Sequence, residues 1–194
     1  TRARDILQSV KNTPELAGEP ALASGMRVQE IELQAWTLLT APAAQLATGL
    51  PRLQDALNAV ADPTERVVAQ ARSGAVLGRT PHLADAARDL LNRAQSAADA
   101  ITDVQSRANA QAEWALAKAR LLAAEAQMAA TSGAVARARA LASEIETLAA
   151  RSGSATNAAA ARAQARVLAL AWRAQRQSGA EAEKLARTLD AFFS

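Results

Sequence analysis

Apolar positions keep helical spacings through most of this chain. Between His82 and Ser132, about fifty residues without Gly or Pro, the positions Leu83, Ala87, Leu90, Ala94, Ala97, Ile101, Val104 and Ala108 recur at alternating intervals of four and three. That is the seam of a helix packed lengthwise on other helices. Extending the spacing lands on Gln111, Ala115 and Lys118, while Ala112, Ala119, Leu122 and Ala126 form an apolar line one residue over. One residue rotates a helix by about 100°. The pattern therefore predicts one continuous helix from His82 to Ser132, a rod that serves two packing neighbourhoods and changes face near Gln111.

The N-terminal part is punctuated by proline. Ile6, Leu7 and Val10 predict a short helix that stops near Asn12-Thr13-Pro14. After Gly18 and Pro20 a second helix begins, with Leu22, Met26, Leu33 and Trp36 on one face, and Pro42 kinks or ends it near Thr40. Leu46, Leu50, Leu53, Leu57 and Val60 continue the spacing across Gly49 and Pro51, which reads as a break followed by a new helix on the same line. Asp62-Pro63 opens a further segment through Val67, Val68 and Ala71. The stretch from Ser73 to Pro81, with Gly74, Gly78 and Pro81, predicts a loop. Beyond the long helix, Gly133, Gly153 and Gly179 bracket helices carrying Leu141 and Ile145, then Leu168 and Trp172, then Leu185 and Phe192. Two sequence blocks recur at an interval of 46: Ala119-Arg120-Leu121-Leu122-Ala123 as Ala165-Arg166-Val167-Leu168-Ala169, and Ser132-Gly133-Ala134 as Ser178-Gly179-Ala180. They imply two helical hairpins. The expected organisation is residues 1–81 as a proline-punctuated helical part and residues 82–194 as the long helix plus C-terminal hairpins, joined in one bundle.

Composition supports this class. Alanine supplies about 28 % of the chain, against a few to ten per cent in ordinary usage, and it is the best helix former. Tyr is absent, Phe and Trp are few, and nothing favours a sheet. The expectation is an all-α fold, an elongated antiparallel bundle with one long central helix. The net charge of +3 is spread as −1 over residues 1–99 and +4 over residues 100–194, too mild for a nucleic-acid face. With no Cys, disulfides, thiol catalysis and Cys-based metal sites are excluded, and the redox compartment is left open. The segment has no signal peptide and no run of about eighteen apolar residues. Any membrane attachment is expected from flanking segments.

Candidate chemistry is sparse. His82 is the only histidine, and with Asp85 and Asp89 it offers three ligand types on one helix flank; a solvated first turn is the simpler reading, and no metal site is expected. Glu30/Glu32, Glu144/Glu146 and Glu181/Glu183 lie two apart, about 200° around a helix, so they cannot work as acid and base on one group. No nucleophile triad, phosphate loop or His-Glu-x-x-His segment occurs, and neither catalysis nor a cofactor is expected. Arg162, Arg166 and Arg173 lie within about 40° on a helix as a stripe for an anion or partner, or as long stems over an alanine-rich flank. Trp36, Trp114 and Trp172 are expected in the core. If a pocket opens between helices, they frame it.

Pro14-Glu15-Leu16, Glu19-Pro20-Ala21-Leu22-Ala23, Glu32-Leu33-Gln34-Ala35 and Thr40-Ala41-Pro42-Ala43-Ala44-Gln45-Leu46-Ala47 resemble the N-terminal half of helical periplasmic sensor domains in membrane-bound histidine kinases, of the trimethylamine-oxide sensor kinase type. The resemblance covers roughly residues 14–60 and assigns no contact residue. It implies a non-catalytic sensor or input domain of a bacterial transmembrane signalling protein. Such a domain is a homodimer, is held outside the cytoplasm by an inner-membrane protein, and answers a small ligand or a binding protein. Leu122, Ala126, Gly133, Ala138 and Ala142 resemble the small-residue spacing of a tetratricopeptide-like hairpin, although 46 departs from the 34 residues of that repeat. That implies the alternative, a cytoplasmic or periplasmic adaptor holding a protein partner.

Overall fold

The structure, a computed structural model, describes residues 20–131 and residue 140. Five α-helices and one 3-10 turn, with no strand, make up those residues: α1 Pro20–Leu38, α2 Ala43–Asn58, α3 Pro63–Leu77, the turn Pro81–Leu83, α4 Ala84–Asp99 and α5 Val104–Thr131. The all-α helical bundle class is thus observed. The chain divides into two compact units, Thr1–Thr102 and Asp103–Ser194.

In the first unit α3 is central, packing along α4 on one side and α1 on another, while α2 lies on α1 and touches α3. Its start follows from local chemistry. The Asp62 carboxylate accepts from Glu65 N–H at 2.9 Å, and Pro63, which lacks an N–H, occupies the first turn. Short connections reverse the chain between neighbours. The core they enclose is built from Ile31 and Ala35 of α1, Leu53 and Leu57 of α2, Val67 and Leu77 of α3, and Ala87 and Leu91 of α4.

Three expectations change here. The loop predicted from Ser73 is helical to Leu77, with Ser73 and Gly74 buried inside α3. Gly74 serves close approach rather than a turn: a Cβ there would lie 3.0 Å from Leu91 Cγ and 3.1 Å from the Ala87 carbonyl oxygen of α4. Pro51 does not divide α2, which runs unbroken through it. Both Pro51 and Ala47, whose carbonyl loses its partner, face solvent, so water satisfies that group while Leu53 and Leu57 hold the helix to the core. On α1 the buried line is Val28, Ile31, Ala35 and Leu38, with Met26 beside it. Leu33 is only half-buried and Trp36 lies outside.

The stretch from His82 to Ser132 is two helices, which removes the continuous rod. His82 sits exposed in the 3-10 turn, Leu83, Ala87, Leu90 and Ala94 keep the predicted seam, and α4 ends at Asp99. Val104, a predicted seam position, is 69 % exposed. The cause is a helix start. Asp103 accepts from Ser106 N–H at 2.7 Å through its carboxylate, and its carbonyl accepts from Arg107 N–H at 2.9 Å. Asp favours such a cap over a helix interior. The two compact units meet at 102/103, and α4 belongs with the first.

In the second unit α5 is continuous through the Gln111 region, where the change of face was expected. Ala110, Ala117 and Leu121 are buried on one side and Ala112 and Ala119 on the opposite side. The predicted helix before Pro14, the glycine-bracketed helices beyond Ser132 and the second copy of the 46-residue repeat lie outside the described residues.

Two glycines give opposite expectations in urea unfolding of the first unit. Nothing lies within 4 Å of a Cβ at Gly25, so Gly25→Ala should gain about 0.5–1 kcal/mol from helix propensity alone. Gly74→Ala should lose about 1–2 kcal/mol, because the Ala87 carbonyl is backbone and cannot step aside. The Asp103 carboxyl is held below its ordinary 3.8 by the Ser106 backbone and hydroxyl hydrogen bonds, with Gln105 N–H and the Arg107 charge adding. The folded value being the lower one, its stabilisation is complete above 3.8 and is lost as pH falls through the lowered value. Far-UV circular dichroism on acidification should show that loss, and Asp103→Ala should remove this contribution.

Candidate functional site

Because α2 and α4 both lie against α3, a slot opens between them. Its floor is Leu77 of α3, and its walls are Leu50 and Leu53 of α2 with Ala86 and Leu90 of α4. Leu77 and Leu53 are almost fully buried, so the floor is set by core packing. The cavity volume is about 50 Å³. Since a buried water needs roughly 10–15 Å³ on this measure, only a few small groups fit.

The mouth is polar. Gln54 of α2 and Asp89 of α4 line it, and Arg93, one turn along α4, joins them. Its Nη2 lies 2.9 Å from Asp89 Oδ2, and with the Gln54 amide oxygen turned toward it the same nitrogen donates to Gln54 at 3.0 Å, as does Nη1. The Arg93 and Asp89 side chains are about half exposed, so the ion pair itself contributes at most about 1 kcal/mol. Its importance is geometric, since a planar guanidinium holds two acceptors from two helices in one arrangement. Farther down α3, on the face shared with Leu77, Ser73 Oγ and Gln70 Oε1 are buried without a hydrogen-bond partner. Each such group costs about 1–3 kcal/mol.

The residues singled out from sequence are distributed differently. Trp36 is 39 % exposed, and the Arg79 guanidinium covers its ring at 4.6 Å from the centroid. Core placement is thus corrected for Trp36: the ring closes the end of the bundle where α1 and α3 both finish. Trp114 is half-buried on α5, in the second unit. Trp172, Arg162, Arg166 and Arg173 lie outside the described residues. Sequence reasoning missed Gln54 and Arg93. Asp89 and Arg93 carry a signal, the i,i+4 opposite-charge spacing, but nothing local links either to Gln54, 35 positions before Asp89. His82, Asp85 and Asp89 do not converge, and among the described residues no group of three His, Asp or Glu side chains could hold a metal ion.

Comparison with known protein families, with characterised proteins and with solved structures finds no match to this chain. Among the described residues no helix is long and apolar enough to cross a membrane.

The Trp36–Arg79 stack gives a direct optical test. Arg79→Ala should uncover the indole and raise acrylamide quenching of the tryptophan emission, with a stability loss of about 0.5–1 kcal/mol. Unchanged quenching would mean that the ring is covered by something else.

Proposed function

We propose that this chain is a non-catalytic helical sensor or input domain of a bacterial transmembrane signalling protein, placed outside the cytoplasm and working as a homodimer. The supporting observation is the Arg93 bridge from Gln54 on α2 to Asp89 on α4 at the mouth of the slot. Apart from this mouth, α2 and α4 are related mainly through α3. A ligand or partner group seated at the mouth adds contacts at both ends of that bridge and so biases the seat of α4. From Asp99 only four residues lead to the Asp103-capped start of α5. This replaces the single rod read from the sequence with two helices and a short link. An input of this kind acts by binding one arrangement better than another.

The reading requires membrane-spanning segments on both sides of residues 1–194 in the full-length protein. In that protein Arg93→Ala should leave the signalling output fixed, whether or not the stimulus is present, while the protein remains folded in the membrane. A full-length protein with no membrane segment, or an Arg93→Ala protein that responds normally, would overturn it.

A further inference from the structure

We propose that the slot takes small uncharged molecules with an apolar body of two or three carbons and a head that both donates and accepts a hydrogen bond, the primary amide being the best match. This deepens the reading of the slot as the input site and rests on it. Size comes first. A cavity of about 150 Å³ accepts benzene, so about 50 Å³ corresponds to a body of roughly two or three heavy atoms. The body must be apolar, because Leu50, Leu53, Leu77 and Leu90 offer it no polar partner.

The head is set by the mouth. With its oxygen engaged by Arg93, the Gln54 amide presents Nε2, a donor, and wants an acceptor from the ligand. Asp89 engages Arg93 through Oδ2, which leaves Oδ1 to accept an N–H or O–H. A primary amide supplies a carbonyl oxygen to the first and an N–H to the second. Charged heads fit worse. A carboxylate meets Asp89, an ammonium meets Arg93, and either must compete with a pair that is already neutral.

Propionamide is the probe, with the purified 194-residue chain and saturation-transfer NMR of its methyl and methylene protons. Saturable binding in roughly the millimolar range is expected for so few atoms. Propionate and propylammonium, of similar size, should bind at least about tenfold more weakly. Ala86→Leu, which fills the slot, should abolish the signal. Because that change could disturb the fold, the double variant Gln54→Ala/Asp89→Ala is the second arm. It removes only side chains at the mouth and should weaken propionamide about fivefold or more while circular dichroism stays unchanged. Absence of saturable binding up to about 100 mM, equal binding of the charged analogues, or binding indifferent to the double variant would each overturn the proposal. Those outcomes leave the input-domain reading standing for another ligand, whereas a full-length protein without membrane segments would remove that reading and leave amide binding intact.

Discussion

The first unit depends on the closeness of α3 and α4 at Gly74. No side chain stands between the two helices there, and the space a single methyl would need is already taken by Leu91 and the Ala87 backbone. Around that point the contact is made by small groups: Ala71, Ala87 and Ala94 are fully buried. Small side chains bury little area each, so the helices must come close for dispersion to accumulate. The approach of α4 then decides where Ala86, Asp89 and Leu90 stand, and with them one wall of the slot.

A similar economy of large residues operates between α1 and α2. A Cβ at Gly49 would fall 2.5 Å from Leu38 Cδ2, so the leucine that ends the buried line of α1 occupies the space the glycine leaves. Leucine and alanine, rather than aromatic rings, fill the interior of this unit. Trp36, its one tryptophan, is spent at the end of the bundle under Arg79. Buried Gln70 and Ser73 run against this economy. They place unpaired oxygens inside α3, on the face that floors the slot, and make the central helix less tightly determined than its apolar neighbours.

The proposed sensor role needs an element that holds one arrangement until something changes it. The Gln54–Arg93–Asp89 bridge fits that need because it is weak and directional. An exposed ion pair adds little stability, so a ligand of modest affinity touching its two ends can shift it, yet its geometry couples two helices that are otherwise related mainly through a third. The four residues between Asp99 and Val104 end in the Asp103 cap that starts α5.

Local chemistry in the sequence was enough for the helical class, for the start of α3 at Asp62-Pro63 and for the Leu83-to-Ala94 face of α4, because propensity, proline and the intervals of three and four act within a few residues. It misled where a residue type has two uses. Gly74 read as a loop and is a helix contact; Pro51 read as a break and is an exposed position inside an unbroken helix; the absence of Gly and Pro after His82 read as continuity, while Asp103 was able to begin a new helix by itself. The slot was not legible at all. Gln54, Leu77 and Asp89 meet only after α2 and α4 have closed on α3, and that closure is decided by the missing side chain at Gly74 and by complementary packing, which no spacing within one helix encodes.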